Sequence, residues 1–406
     1  MTDAIILDNP TKERPGPSGE FGVVYRYNNH IYRTIEPKYI KRVRGLVTNT
    51  QLMDKLHQIG LVETSIAPVH TEQYAFILEH ELIDFETLSS EWPLAMKIDA
   101  AIMHLDLHIE LIKNGWCLWD GHEYNILFDY TIPKWIDFHS IMPIRGDAAW
   151  WNEFKFYVFD PLVGDEALWD REFKKASSKD VSKERIVIFL EILKEAILAV
   201  QINPVKTPWF DYPRLSDTDL DDKQKTTLEM MERVKPYCDT FLDIGSNVGW
   251  YSKAASQMGY KVVAIDVDEA CITELYTNTK ASGDRILPLV LDFKTSLDAV
   301  STYPPFAERL QCDVTLSLAL LHHLVFYQEA TFPYIAERLD ALSKKAAIVQ
   351  FITREDSYVK HWLKSLGTKF DWYTMDNFIS EMNKYFPKQT IIDSSPVERK
   401  LILFEK

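Results

Sequence analysis

Three aspartates and two glycines supply the most specific chemistry in this sequence. In Phe241-Leu242-Asp243-Ile244-Gly245-Ser246-Asn247-Val248-Gly249-Trp250, an apolar run ends in a carboxylate and passes into a turn with two glycines. A carboxylate in that place suits a cation such as the ammonium of an amino-acid tail. A nucleotide pyrophosphate asks instead for a full G-x-G-x-x-G and no acidic group there. Gly245 and Gly249 are expected to let the backbone approach the ligand, with Ser246 and Asn247 lining the turn between them. Asp266 ends the next apolar run, 23 residues after Asp243, and Val267 follows it. A carboxylate at that point accepts two hydrogen bonds from ribose hydroxyls. Asp292-Phe293 closes a third run and fits an adenine: the carboxylate accepts from the exocyclic amine and the ring packs on the base. In this order the residues ask for a ligand that joins an adenosyl group to an amino acid.

A fourth run, Cys312-Asp313-Val314-Thr315-Leu316-Ser317-Leu318, leads into Ala319-Leu320-Leu321-His322-His323-Leu324. Ser317 is expected beside the ligand, and the tip of this run faces the group to be transferred. A hydroxyl nucleophile must lose its proton, and histidine suits that task near neutral pH, which makes His322 and His323 the candidate bases. Asp356, Tyr358 and His361, after a fifth run, are candidates to line the substrate side.

Positioning these residues requires strands that end together and helices that return the chain. From Thr240 onward apolar runs alternate with amphipathic stretches: Thr240–Ile244, Lys261–Asp266, Ile286–Leu291, Val314–Leu318 and Ala346–Phe351 read as strands. This alternation predicts a predominantly parallel, doubly wound α/β sheet of Rossmann-like form, closed by antiparallel strands at Gln389–Ser394 and Arg399–Phe404. A Pro-rich and acidic stretch, Asn203–Asp222, marks a boundary near residue 210, giving domains 1–210 and 211–406.

The motif set resembles the class I S-adenosylmethionine-dependent methyltransferases. The runs Ile286–Val290, Leu318–Leu324 and Phe351–Val359 are similar to a bacterial methyltransferase family that includes a host-specific nodulation protein. So are Trp119-Asp120-Gly121-His122-Glu123-Tyr124-Asn125, Trp135–Ser140 and Asp160-Pro161-Leu162. The likeness spans roughly residues 90–406. It implies S-adenosyl-L-methionine as methyl donor and leaves the acceptor open. O-methylation of a sugar or another small polar acceptor, free or part of a glycan, is the expected reaction.

The first half reads as an α+β, kinase-like domain. Gly19-Glu20-Phe21-Gly22-Val23-Val24-Tyr25-Arg26 is similar to the end of a kinase glycine-rich loop. Asp120 and Asn125 have the Asp-x-x-x-x-Asn spacing of a catalytic loop, and Asp137-Phe138-His139 stands where Asp-Phe-Gly belongs. Arg33 takes the approximate place of the phosphate-binding Lys, Trp119 replaces Arg, and His139 replaces Gly. An Arg is a poor substitute for that Lys, so the domain is expected to scaffold or to bind substrate. A bifunctional methyltransferase–kinase and a non-catalytic regulator that binds the methyl donor are the alternatives.

Acidic residues outnumber basic ones by 60 to 45, for a formal net charge of −15, which argues against a nucleic-acid partner. The basic run Lys38–Arg44 reads as a solvated helix face. The four cysteines show no spacing suited to zinc, and no metal site is expected. The first residues lack the features of a signal peptide and no apolar stretch reaches membrane-spanning length, so a cytoplasmic protein is expected.

Overall fold

The computed structural model describes residues 11–12, 22–68, 76–144, 149–177, 181–295, 297 and 304–406. The chain divides into two compact units. One runs to Ser89 and again over Met96–Ile202; the other comprises Ser90–Ala95 and Asn203–Lys406. Among the described residues, no helix is long and apolar enough to cross a membrane.

The first unit is α+β. Strands β1 (Thr11–Lys12), β2 (Val24–Tyr27), β3 (His30–Thr34), β4 (Thr64–Ile66) and β5 (Ile77–His80) form an antiparallel sheet in the order β1-β2-β3-β5-β4. Asn28 and Asn29, both with positive φ, make the tight turn between β2 and β3, as asparagine does readily. Gly19-Glu20-Phe21 of the glycine-rich stretch lie outside the described residues. Gly22 has φ +123°, and a Cβ there would sit 1.8 Å from the Thr34 carbonyl oxygen.

Helix Leu94–Lys113 follows and stops just before Gly115 (φ +86°). Two short hairpins come next: β6 (Trp116–Leu118) pairs with β9 (Ile141–Pro143), and β7 (Ile126–Asp129) with β8 (Ile132–Trp135). Between them they hold Trp119–Asn125 and Asp137. Much of the aromatic content is core here. Trp135, Trp150, Trp151 and Trp169 are buried, and the Trp150 indole donates to His104 Nε2 at 2.9 Å.

The second unit is a doubly wound sheet. Its strands are β10 (Thr240–Ile244), β11 (Lys261–Asp266), β12 (Ile286–Val290), β13 (Cys312–Ser317), β14 (Ser343–Ile352), β15 (Lys388–Asp393) and β16 (Arg399–Glu405). The order is β12-β11-β10-β13-β14-β16-β15; β10 to β14 are parallel and β16 runs antiparallel between β14 and β15. All the strands but the edge strand β15 are mostly buried because helices cover both faces: Phe241, Val262, Ala264, Leu316, Ile348 and Leu403 all lie in the core. Strand order reverses between β10 and β13. In an open α/β sheet the ligand crevice lies outside the carboxyl ends of the strands at that point.

Candidate cofactor and acceptor site

The turn after β10 is fastened to β11. The Gly245 and Ser246 amides both donate to the Ile265 carbonyl, at 2.9 and 3.1 Å. Gly245, Asn247 and Gly249 all have positive φ. At Gly245 a Cβ would meet only Leu320, at 3.5 Å, so the left-handed backbone is what asks for glycine. Gly249 differs. A Cβ there would lie 2.4 Å from Leu275 Cδ1, a close approach to a helix side chain.

Asp266 sits at the end of β11, where its Oδ2 accepts from the Asn247 amide at 2.8 Å and its Oδ1 from the Asp268 amide at 2.9 Å. Each oxygen keeps a lone pair for a further donor. Burial raises its pKa above the ordinary carboxylate range, against those two amides. Asp243 is buried beneath the turn and accepts from Ser252 Oγ at 2.6 Å. Burial pushes its carboxyl up to about 7, with the Ser252 hydrogen bond opposing. Among the described residues, no partner is found for the buried Ser246 hydroxyl. A desolvated carboxyl, a ribose-type carboxylate with spare lone pairs and an orphaned hydroxyl around one crevice fit S-adenosylmethionine.

One expectation on the adenine side changes. Phe293 is buried, with the Arg338 guanidinium 5.2 Å over its ring and Arg338 Nε donating to its carbonyl at 2.6 Å. That ring packs in the core instead of presenting a face to a base. Asp292 is exposed, and its Oδ1 accepts from the Lys294 amide at 2.8 Å, closing its own turn. Val267 is exposed beside Asp266.

On the other side of β10, Ser317 ends β13 and is buried, between Ile244 and Val349 in register. Two residues on, Ala319 has φ +52°, and its amide donates to Gln350 Oε1 at 3.2 Å. A non-glycine residue held in that region costs on the order of 1 kcal/mol and is a mark of functional sites. His322 and His323 follow, with ring centroids 4.1 Å apart. His322 stacks on Trp362 at 5.6 Å; His323 meets Trp209 edge-on at 4.7 Å and stacks on Tyr327 at 5.6 Å. Among the described residues neither Nδ1 has a partner. Burial, with help from His323, pushes His322 down to about 3; burial lowers His323 as well. A group with so low a pKa is uncharged at neutral pH and a weak base unaided.

Asp356 caps helix Ser357–Leu366, accepting from the Tyr358 amide at 2.9 Å, and pairs with Arg399 Nε at 3.2 Å. Its work is structural. Tyr358 and His361 are exposed.

Two residues here escaped the sequence reading. Lys223, on the first turn of helix Asp222–Val234, is pushed down to about 8 by burial and by Arg399, against the carboxylates of Asp221 and Asp243. A lysine on the polar turn of an amphipathic helix carries no signal of this. Trp209 belongs to the Pro-rich stretch read as a boundary. Asn247 Nδ2 donates to its carbonyl at 2.7 Å, and nearby Thr207 Oγ1 donates to Asp268 Oδ2 at 2.5 Å. The segment is thus tied to both turns that shape the crevice.

In the first unit, Asn125 Nδ2 lies 3.4 Å from Asp120 Oδ2, and Arg33 on β3 forms an ion pair with Asp137 at 3.1 Å. Burial, then the charge of Asp137, pushes Asp120 up to about 6. The kinase-spaced residues are gathered, but the Asp137 carboxylate already holds a guanidinium.

The doubly wound sheet, with Asp243 and Asp266 at successive strand ends, defines a class I S-adenosylmethionine-dependent methyltransferase. Residues 242–340 match the family described as a methyltransferase domain. Over 91% of its length the chain is 24% identical to nodulation protein NoeA of Rhizobium meliloti, covering 92% of that protein. This bears out the kinship expected with a nodulation-type methyltransferase. Among solved structures, WbdD, described as a bifunctional kinase-methyltransferase, is similar at 16% identity and TM-score 0.34, over 50% of this chain and 45% of that one. The N-methyltransferase NodS of Bradyrhizobium japonicum matches at 12% identity and TM-score 0.34, over 46% of this chain and 89% of that one. Both likenesses are too distant to say anything of the acceptor.

Proposed function

We propose that the chain transfers a methyl group from S-adenosylmethionine to a hydroxyl of a sugar or another small polar acceptor. The observation that carries this reading is the wall beyond β13, where the His322 and His323 imidazoles stand among Trp209, Tyr327 and Trp362. Aromatic faces suit the apolar face of a sugar ring, and unpartnered imidazole nitrogens suit its hydroxyls. S-adenosylmethionine, when bound, supplies a methyl group already activated as a sulfonium. The acceptor oxygen forms its bond to that carbon as the carbon–sulfur bond breaks, and its proton leaves to a base. His322 and His323 are the near acceptors for the proton. In this reading Asp243 holds the ammonium of the cofactor, Asp266 its ribose and the exposed Asp292 the adenine amine. Gly245, Ser246, Asn247 and Val267 shape the crevice, and Ser317 closes its floor.

Trp209→Ala is expected to weaken acceptor binding, raising KM five- to tenfold, or about 1 kcal/mol of stacking, with little change in S-adenosylhomocysteine affinity. A fall in cofactor affinity alone would move Trp209 out of the acceptor wall. The cofactor site predicts a pH dependence too. Asp243 must be ionised to hold an ammonium, and its unliganded pKa lies near 7. Affinity for S-adenosylhomocysteine is therefore expected to fall about tenfold from pH 8 to pH 6, with a proton released on binding. Titration calorimetry in buffers of different ionisation enthalpy reads both. Asp243→Asn should flatten the profile; an unchanged profile would remove Asp243 from the tail site.

A labelled-methyl screen over sugars, oligosaccharides and small amines tests the acceptor class: transfer confined to hydroxyls supports the reading, and transfer to amines overturns it. Cofactor binding with no transfer to any acceptor would favour a regulator. A further thermal shift with Mg-ATP, lost in Asp137→Ala, would favour the bifunctional alternative.

A further inference from the structure

The loop Trp119–Asn125 does more than space Asp120 from Asn125. One oxygen of Asp120, one ring nitrogen of His122 and one oxygen of Glu153 all lie within 4.8 Å of one another. We propose that Asp120, His122 and Glu153 form a binding site for a divalent transition-metal ion, such as Mn2+ or Zn2+, in the first unit. Two carboxylate oxygens and one imidazole nitrogen make a ligand set of mixed hardness that suits such ions better than Mg2+ or Ca2+, which prefer oxygen alone. Ligand atoms bound at about 2.1 Å to one ion lie about 3–3.5 Å apart, so the cluster needs to draw in by no more than about 1–2 Å. All three side chains are intermediate in exposure, which leaves positions on the ion for water or for an oxygen of a bound molecule.

Several features of the chain build this cluster. Gly121 lies so close to the helix that carries Glu153 that a Cβ would sit 2.2 Å from the Trp150 carbonyl oxygen and 2.6 Å from the Phe154 nitrogen. Only glycine lets the loop seat there. The Gly121 amide donates to Glu153 Oε2 at 2.8 Å, which fixes the carboxylate as outer-shell hydrogen bonds fix metal ligands. The helix changes to π-helix over Phe154–Phe159, directly after Glu153, and such insertions accompany functional sites. Finally, His122 Nδ1 is shielded from solvent, and among the described residues it has no hydrogen-bond partner. An imidazole nitrogen that makes no other hydrogen bond is available as a ligand.

This is not a kinase-type metal pair. That pair would be Asn125 and Asp137, and Asp137 is held by Arg33 at 3.1 Å. A metal on Asp120 also removes that carboxylate from the part of a hydroxyl base.

The test uses the full chain, stripped with chelator and then titrated with Mn2+ under electron paramagnetic resonance. The expected result is one bound ion per chain, with pulsed spectra showing coupling to an imidazole nitrogen. Affinity should fall at least tenfold in His122→Gln and in Glu153→Gln, and stay within threefold of the parent in Asp137→Asn. The nitrogen coupling is read in the unaltered protein, so the test survives if a variant fails to fold. No bound ion, or a bound ion without nitrogen coupling, overturns the proposal. So does an affinity lost in Asp137→Asn but kept in His122→Gln.

Discussion

Asp266→Ala is expected to weaken binding of S-adenosylhomocysteine about a hundredfold, or about 2.7 kcal/mol. Two charge-assisted hydrogen bonds to a ribose diol account for most of this, at about 1.5–3 kcal/mol each before partial replacement by water. The remainder comes from the turns. Asp266 also accepts from the amides of Asn247 and Asp268, so its removal loosens both sides of the crevice at once. Asp266→Asn separates these contributions, since the amide keeps the shape and one acceptor but loses the charge; it should fall between the parent and the alanine variant. Titration calorimetry gives the affinities, and a melting curve without ligand shows how much of the effect is structural. A change below threefold in the alanine variant would take the ribose away from β11.

Gly249→Ala is expected to destabilise the second unit by about 3 kcal/mol, through two separate costs. Holding an alanine at φ +79° costs about 1–2 kcal/mol. Its Cβ must also displace Leu275, a buried side chain on the helix after β11 whose Cδ1 would be 2.4 Å away, and overpacking of that kind costs about 1–3 kcal/mol. For a unit of this size the melting temperature should drop by roughly 6–12 °C. Trimming Leu275 in the same chain should recover the overlap and not the backbone cost. If Gly249→Ala instead melts normally and loses only the cofactor, the glycine serves ligand approach after all.

Much of the second unit could be read from the sequence because its signals are local. Strand ends, carboxylates and the glycine turn fall together within ten residues around Asp243, and Asp266 repeats the pattern at the next strand. Apolar runs without alternation announced strands covered on both faces, and the structure has them within a few residues of the expected limits. What stayed hidden depends on packing between distant segments. Phe293 looked like a stacking ring, but Arg338, from a helix more than forty residues later, covers its face. Lys223 and Trp209 looked like an exposed helix residue and a boundary residue. Only the fold turns one toward Asp243 and ties the other to Asn247. The first unit shows the same limit. Asp120 was visible by spacing, whereas Glu153 joins it and His122 only because Gly121 lets the loop lie on a helix thirty residues on.

The most direct measurement is a crystal structure of the full chain grown with S-adenosylhomocysteine. The account predicts the ribose hydroxyls on Asp266, the amino-acid ammonium next to Asp243, and the sulfur turned toward His322 and His323 beyond β13. A product bound with its ribose away from Asp266, or with its sulfur facing away from those histidines, would contradict it.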